Sequence, residues 1–468
     1  MDWLKRFLSA IRMEPALFFY MCSASLKYPV FQSLLYEKAC ASRYGERFDC
    51  TNIDEIYDDK NLQSDANRLY LISSLCLILP SIFSALLLGS LSDSWNAKIA
   101  MIIPFIGLIA GDITMIIPFI GLIAGDVNYL FQTLNVKNSP YYLLISDVLF
   151  GICGGYTAII GTLLSYNVKS TPSDLRSERV AAFEGAIGLG STMGYALSGI
   201  VNEYVGYSYY FLILMVLDTI CYFYIVIFAK ELESQNGILS SQSIFSRFIE
   251  VFHFLISYRN NPYFKIFSFI LIALSFEMLV YAGITDIMYS YLRYKLSWND
   301  KPYGWFSGLG SGFNSMAVLF LYPLLHRHGS NDVMLSIYGI ITKIIFLFMF
   351  AFLFSNWWAY LSLIPITFNR FVSTGLRASS SHFVDYAEQG KLFSLIALIE
   401  GITSIIATLA FNGLYPLTLS FFAGTVFVVV AVSLLLPLGL LVNVHKNLKE
   451  IQPETNALNP SAISSNNL

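Results

Sequence analysis

The chain has 468 residues, of which 56% are hydrophobic and only 13% are charged, and its formal net charge is −3. Soluble domains carry about 25% charged residues, so this composition, with a mean hydropathy of +0.61, excludes a soluble globular protein and indicates an integral membrane protein. No basic run and no alternation of basic with aromatic residues points to nucleic acid as a partner.

Twelve apolar stretches are long enough to cross a bilayer, because a membrane helix needs about 20 mostly apolar residues. In chain order they are 15–37, 69–90, 99–131, 141–165, 180–204, 207–229, 264–291, 303–325, 332–354, 357–377, 391–413 and 418–443. The first stretch runs on into more apolar sequence, so we expect it to be retained rather than cleaved as a signal peptide. The predicted fold class is an all-α integral membrane protein with twelve transmembrane helices.

The third stretch contains two nearly identical 14-residue copies, at 101–114 and 115–128, which differ only at their last two positions. Each copy is too short to cross the membrane alone. Two crossings here would also invert every later loop, so we expect the duplication to lengthen one span. Only one copy can then occupy the packed position, and either Asp112 or Asp126 is displaced with the other copy. We interpret the duplication as having no chemistry of its own.

Lysine and arginine concentrate before the first span and after the even-numbered ones, whereas the other gaps hold little net positive charge. The positive-inside rule therefore predicts that both termini are cytoplasmic. The chain divides into a cytoplasmic N-terminus (1–14), a six-helix bundle (15–230), a cytoplasmic linker (231–262), a second six-helix bundle (263–444) and a disordered cytoplasmic tail (445–468).

This layout, six spans on either side of a polar linker, resembles the major facilitator superfamily. After the second span, Gly89, Asp93 and Lys98 are similar to that superfamily's loop signature. The resemblance implies that the glycine allows close helix packing and that the aspartate and the basic residue latch the outward-facing state. It also implies two rocking halves with a substrate site midway between them.

Ionisable residues inside the predicted spans cost a few kcal/mol each to bury, so they need a function or a partner. They are Lys27, Asp147, Glu184, Asp218, Glu277, Asp286, Lys343, Arg370, Arg377 and Glu400. In the superfamily the first, fourth, seventh and tenth spans line the cavity, which predicts a polar solute path through Lys27, Asp147, Glu277 or Asp286, and Arg370. For each single residue a structural ion pair is the alternative, and we favour that alternative for Asp218 and Lys343.

Two of the six cysteines, Cys40 and Cys50, share the polar loop after the first span. They form a disulfide if that loop faces an oxidising space and stay free otherwise. The sequence shows no metal-ligand spacing, no cofactor motif and no nucleophile for the pair His382 and Asp385, so a membrane enzyme is the weakest hypothesis.

Several stretches are similar to solute carrier family 46, which includes the proton-coupled folate transporter. The motifs that carry this resemblance are RVAAFEGAIG at 179–188, GITDI at 283–287, EQGKLFS at 388–394, FNGLYPLTL at 411–419 and LLYEKAC at 34–40. The resemblance covers residues 14–444 and implies a transporter of organic anions that is driven by protons.

The family's proton-coupling glutamate falls on Glu184, its substrate-linked and proton-linked arginine on Arg377, and its span-seven aspartate on Asp286. Tyr281 stands where the folate transporter has a histidine. Because tyrosine does not titrate near physiological pH, the histidine's part in proton coupling is missing. A relative with a different cargo is therefore favoured over a folate carrier.

The leading hypothesis is a proton-coupled secondary transporter of a small organic anion, and the alternative is a receptor or scaffold that binds ligand without flux. We recognise no sorting signal in the chain, which favours the plasma membrane over the lysosomal membrane.

Overall fold

A computed structural model describes residues 13–45, 50, 59–94, 110–134, 138–169, 176–229, 255–259, 261–384 and 389–458. All the regular secondary structure in these ranges is helical. Apart from the short helical pieces Pro140–Leu143 and 255–258, it forms twelve helical units, numbered α1 to α12, six on each side of the predicted linker. This confirms the predicted fold class.

The N-terminal half contains α1 to α6. The first three are α1 (Glu14–Tyr44), α2 (Lys60–Ser94) and α3 (Ala110–Leu134). Helix α4 has two segments, Leu144–Ile152 and Gly155–Lys169. Helices α5 and α6 form one continuous element, Arg176–Phe228, which is broken at Gly206, where φ is 70°.

The C-terminal half contains α7 to α12. Helix α7 is Phe264–Leu296, α8 is Asp300–Met316 continued by the π-helix Ala317–Leu321 and by Tyr322–Arg327, and α9 is Asp332–Ala351. Helix α10 comprises Asn356–Leu361, Leu363–Ile366 and Arg370–His382, α11 is Gln389–Thr418, and α12 comprises Thr425–Ser433 and Leu435–Leu458.

Six helical segments within the described ranges are long and apolar enough to cross a membrane by themselves. They are Gly185–Phe228, Phe264–Leu296, Asp300–Arg327, Asp332–Ala351, Leu398–Thr418 and Thr425–Leu448. Gly185–Phe228 holds both α5 and α6. The remaining units complete the two bundles by packing against these segments.

Two helices extend further than the sequence predicts. Helix α2 continues through Ser94, so Gly89 and Asp93 belong to its last turns instead of a loop. Helix α12 continues to Leu458, although we expected disorder from residue 445. Leu448 still packs against the core, which continues the apolar face beyond that boundary. Most of the predicted linker lies outside the described residues.

The second copy of the duplicated stretch occupies the packed position. Helix α3 contains residues 115–128 in full, and Phe119 and Leu122 from this copy are buried in the core of the N-terminal half. Residues 101–109 of the first copy lie outside the described residues. The duplication therefore adds no separate crossing within α3.

Among the described residues, the apolar core that the two halves share lies at one end of the bundle. We call this the disulfide end, because Cys40 and Cys50 are bonded there, and we call the other the Glu14 end. At the disulfide end, Leu34 of α1, Leu69 of α2 and Tyr289 of α7 belong to one continuous apolar cluster. At the Glu14 end, α1, α3, α4, α5 and α6 form a core of their own.

Helices α5 and α8 make the closest contact between the halves. A Cβ atom on Gly199 would overlap with the backbone of Lys301, so only glycine allows this approach. Beyond it, Asn202 donates a hydrogen bond of 2.7 Å to Asp300. The GxxxG pair Gly190 and Gly194 instead faces α1 within the same half, so it serves packing inside the N-terminal bundle.

A polar row on α2 makes the second contact between the halves. Gln63 Nε2 donates to the Ser290 carbonyl at 2.5 Å and to the Tyr415 hydroxyl at 3.2 Å. Ser290 Oγ donates to Asn67 Oδ1 at 2.7 Å. These bonds tie α2 to α7 and α11 and close the disulfide end.

We expect Gly199→Val to destabilise the fold by about 1–3 kcal/mol, because overpacking a close helix contact forces the backbones apart. The matched control is Gly185→Val on the same helix, where an added Cβ meets nothing within 4 Å. Thermal unfolding of the purified protein in detergent measures both. Equal midpoints for the two variants would contradict the close contact.

Candidate functional site

A cavity of about 540 Å³ lies between the two halves. Its lining comes from both bundles and includes Ala24, Ser25 and Tyr28 of α1, Tyr70 of α2, Tyr156 of α4, Ser191 and Tyr195 of α5, Tyr281 and Thr285 of α7, Tyr303 and Asn314 of α8, Lys343 of α9, and Asn369 and Arg370 of α10. Tyr281 is 51% exposed.

Tyrosines cover the wall of the cavity that faces the disulfide end. The Tyr28 ring lies 6.3–6.5 Å from the rings of Tyr70, Tyr195 and Tyr303. Its hydroxyl donates a hydrogen bond of 2.7 Å to the Thr285 carbonyl, which crosses from α1 to α7. Such a wall offers apolar faces together with hydroxyl groups, which suits an amphipathic solute.

Arg370 provides the positive charge of the cavity. Its backbone N–H donates to Asn314 Oδ1 at 3.4 Å, and the guanidinium lies close to Tyr195. Within the described part of the chain, no carboxylate pairs with it. Because arginine stays protonated at any physiological pH, Arg370 offers a permanent cation to whatever enters the cavity.

The second cation of the wall, Lys343, is neutralised by its neighbour. Its ammonium forms an ion pair with Glu277 across α9 and α7, and the exposed fractions of the two side chains are 2% and 4%. Lys343 also lines the cavity. The sequence analysis favoured a structural ion pair for this lysine, and its contact with Glu277 is such a pair.

Asp286 lies behind the tyrosine wall. Its carboxylate accepts hydrogen bonds from Tyr70 at 3.2 Å, Thr408 at 2.7 Å and Asn412 at 3.0 Å. The donors come from α2 and α11, so Asp286 connects the two halves. All three donors are neutral groups. The carboxylate of Asp286 is therefore hydrogen-bonded, but none of these three partners carries a positive charge.

Lys27 and Asp147 belong to a buried polar cluster inside the N-terminal half. Lys27 pairs with Asp126 at 2.9 Å, and its ammonium lies 4.3 Å from the centre of the Tyr129 ring. Asp147 accepts hydrogen bonds from Tyr129 at 2.7 Å and from Ser73 at 2.6 Å. Asp126, which the sequence analysis treated as part of a chemically silent duplication, is thus the partner of Lys27.

Arg377 pairs with Glu400 at 3.1 Å, and the exposed fractions of the two side chains are 38% and 48%. Glu184 lies on α5, but its side chain is outside the described residues. The side chain of Asp93 and the surroundings of Gly89 are also outside the described residues, and so is the whole of Lys98. The loop latch and the glutamate therefore stay predictions.

Of the eight residues predicted for the solute and proton path, the cavity wall includes Tyr281 and Arg370. The expectation that Lys27, Asp147 and either Glu277 or Asp286 line the same cavity needs correction. Each of these side chains points to a partner on a neighbouring helix, because that partner satisfies its charge away from water.

Cys40 and Cys50 are joined by a disulfide, with their Cα atoms 5.9 Å apart. Within the described ranges, no group of three or more histidine, cysteine or acidic residues is placed to hold a metal ion.

The sequence analysis missed the aromatic part of the site. The chain contains 30 tyrosines, and Tyr28, Tyr70, Tyr195 and Tyr303 come from four helices of both halves. Their abundance in an apolar chain was a usable signal. Only packing shows which of them converge.

Comparisons with known proteins agree with this architecture. The family model described as Major Facilitator Superfamily matches residues 16–408. The "Lysosomal proton-coupled steroid conjugate and bile acid symporter SLC46A3" of Homo sapiens is 27% identical over 91% of this chain and 92% of its own length. The "Proton-coupled folate transporter" of Bos taurus is 22% identical over 91% of this chain and 90% of its own length.

A third relative, "Solute carrier family 46 member 2" of Canis lupus familiaris, is 20% identical over 78% of this chain and 78% of its own length. Among solved structures, that of the human organic anion transporter MFSD10 (TETRAN) has a TM-score of 0.62 at 13% identity and covers 92% of this chain and 97% of its own. At this identity the likeness shows a shared fold.

We expect Glu277→Gln or Lys343→Met alone to destabilise the protein by about 3–5 kcal/mol, because each leaves an uncompensated buried charge. The double variant Glu277→Leu with Lys343→Met should recover most of that loss. Arg377→Gln is the matched control, because an exposed ion pair contributes about 1 kcal/mol or less. Denaturation in detergent gives the values. Single variants as mild as the control would contradict the buried pair.

Proposed function

The chain belongs to the Major Facilitator Superfamily, and we propose that it is a proton-coupled secondary transporter that moves a small organic anion by alternating access. Its relatives in solute carrier family 46 confirm the predicted family resemblance, and transport of a solute, not catalysis, is the activity they share. The proton as coupling ion and the organic anion as cargo are the parts of this function that we propose.

The observation that carries the proposal is a permanent cation without a carboxylate partner among the described residues, Arg370, on the wall of a cavity between the halves. Arg370 is half-buried, and its unneutralised charge attracts a counter-ion, which an anionic solute supplies. The volume of about 540 Å³ falls within the range of about 300–1,000 Å³ that holds ligands of drug size. Steroid conjugates, bile acids and folate, named for the relatives, are anions of that size and serve as the first probes.

Alternating access is supported by the way the halves meet. They share a core and hydrogen bonds at the disulfide end, whereas the N-terminal half has a separate core at the Glu14 end. Two bundles joined at one end can rock about a fixed site. In the proposed cycle the α5–α8 contact and the polar row on α2 open when the Glu14 end closes.

Proton coupling is supported by buried carboxyl groups that neighbour the cavity without lining it. Asp286 bonds to Tyr70, and Tyr70 lines the cavity. A carboxylate held by neutral donors in an apolar bundle can take up a proton, because desolvation penalises its charged form. The names of two relatives also describe proton-coupled proteins.

The disulfide supports the predicted orientation, because disulfides persist in oxidising spaces. The disulfide end would then face away from the cytoplasm and both termini would lie in it. For the residence membrane we keep the plasma membrane as the proposal, whereas the Homo sapiens relative is named lysosomal.

We expect a protein with an epitope at its C-terminus to be labelled by surface biotinylation in intact cells, while the epitope antibody binds only after permeabilisation. A second epitope between Arg43 and Cys50 should be reached without permeabilisation. Co-localisation with lysosomes and no surface label would overturn the plasma membrane. An accessible C-terminal epitope would overturn the orientation.

We expect Arg370→Gln to weaken uptake of a labelled anion about 10- to 100-fold in KM, because a hydrogen bond to a charged group contributes about 1.5–3 kcal/mol. Arg370→Lys should keep part of the affinity, since it keeps the charge but loses the two-pronged geometry. Arg327→Gln, at the end of α8 and outside the cavity lining, is the matched control.

The measurement is uptake of a labelled steroid sulfate, the bile acid taurocholate and folate at acidic and neutral external pH, with surface amounts equalised. Unchanged KM in Arg370→Gln would contradict the anion site. Binding of a probe without flux in the wild-type protein would favour the receptor alternative.

A further inference from the structure

We propose that Asp126 of α3 and Asp218 of α6, which face each other beside Lys27, hold the coupling proton between their carboxyl groups. This inference rests on the proposed function and places its proton in the N-terminal half, at residues that the family resemblance does not assign. We call these two residues the carboxyl pair.

The carboxyl pair is fully enclosed by protein. The Asp126 side chain has 0% exposure, and Lys27 Nζ donates to its Oδ1 at 2.9 Å. Asp218 is 1% exposed, and Asp126, Lys27 and Ser23 are its nearest polar neighbours. Two aspartates from different helices therefore meet at one buried point beside one lysine.

One oxygen of each aspartate lacks a hydrogen-bond partner. These atoms are Asp126 Oδ2 and Asp218 Oδ1, and both are buried. Buried polar atoms of a stable protein are almost always satisfied. Two carboxylate oxygens cannot donate to each other, but a carboxylic acid donates to a carboxylate, so one bound proton would join the two groups.

The charges of the cluster favour the same proton. Among the described residues, Lys27 is the single cation beside the carboxyl pair, and Asp147 on α4 is also its electrostatic neighbour. The other titratable groups that face the pair are neutral in their ordinary forms: Tyr20 and Cys22 of α1, Tyr129 of α3, and Cys221 of α6. With every aspartate ionised, the cluster would keep two uncompensated negative charges away from water. Adjacent carboxylates in that situation share a proton.

Two tyrosines lie between the carboxyl pair and the cavity. Tyr156 lines the cavity, and its ring lies 6.2 Å from that of Tyr20. Tyr20 is in turn an electrostatic neighbour of Asp126 and Asp218. In the proposed cycle the proton enters from the cavity on this side of the pair, with no covalent bond to carbon made or broken.

Helix α1 would link this proton to the solute. Lys27 lies on α1 between cavity-lining residues, because Ala24, Ser25 and Tyr28 all belong to the cavity wall. When the proton leaves, both aspartates become anions that compete for one ammonium. The position of Lys27, and with it the wall formed by α1, then depends on whether the proton is bound.

The test compares Asp218→Asn with the wild-type protein in vesicles, using labelled taurocholate with a pH-sensitive dye for the accompanying protons. The amide still donates to Asp126 but cannot release a proton. We expect accumulation driven by a pH gradient to fall to the level reached without a gradient, while exchange of internal for external solute persists. Asp218→Glu keeps an acid and should keep the gradient-driven accumulation. Asp65→Asn, at an exposed ion pair with Arg43, is the matched control for the substitution.

Gradient-driven accumulation and proton uptake that survive in Asp218→Asn would overturn the inference and leave the transport function standing. If the wild-type protein takes up none of the probes, the proposed function fails, and the carboxyl pair is judged by a second measurement. Infrared difference spectra of the purified protein across a pH step should show a protonated-carboxyl band in wild-type and Asp65→Asn samples that is lost from Asp218→Asn, whereas a band from Asp286 would appear in all three. A spectrum of Asp218→Asn with the same protonated-carboxyl bands as the wild-type protein overturns the inference even if that variant does not transport.

Discussion

An ionisable side chain at the depth of a bilayer must be paired within the protein, and this requirement organises the interior of the molecule. Lys27 has Asp126, Glu277 has Lys343, and Asp286 has three neutral donors from α2 and α11. Each contact joins two helices that are distant in sequence, so the pairs also fix how the helices are rotated. Burial of such groups costs a few kcal/mol without a partner, which is why they bond to neighbouring helices, and among them only Lys343 also lines the cavity.

Arg370 departs from this pattern, because among the described residues of the cavity wall it is the ionised side chain that no carboxylate neutralises. It lies where the halves separate, opposite the tyrosines of α1, α2 and α5. Lys343, the other cation of the wall, is already neutralised by Glu277. A solute that enters therefore meets one unneutralised charge and an aromatic surface. The shared core at the disulfide end keeps this site joined to both bundles while the Glu14 end is divided.

The helices and the two-half organisation were predictable, because hydropathy over about 20 residues reports burial in lipid directly. The sequence also identified the ionisable residues within the predicted spans. Their partners were not, since pairing depends on helix rotation and packing, which hydropathy does not encode. Arg377 and Arg370 both read as buried cations, yet Arg377 pairs with Glu400 and Arg370 lines the cavity. The aromatic wall was not predicted for the same reason, because nothing in the sequence around a tyrosine on a membrane helix shows which neighbouring residue it faces.

In the duplicated stretch, an ambiguity about which copy packs against the bundle changes the interpretation of several other residues. Asp112 and Asp126 occupy equivalent positions in their copies, and 14 residues at about 100° each return a helix to nearly the same face. Sequence alone cannot choose between them, and treating both as silent removed the partner of Lys27 from the reasoning. With Asp126 in place, Lys27 changes from a cavity cation into the counter-ion of two aspartates, and Asp218 changes from a peripheral residue into one half of a pair. A lysine that neutralises only one of two adjacent carboxylates leaves room for a proton on the other. The packing of one repeat copy therefore decides where the N-terminal half could hold the proposed coupling proton.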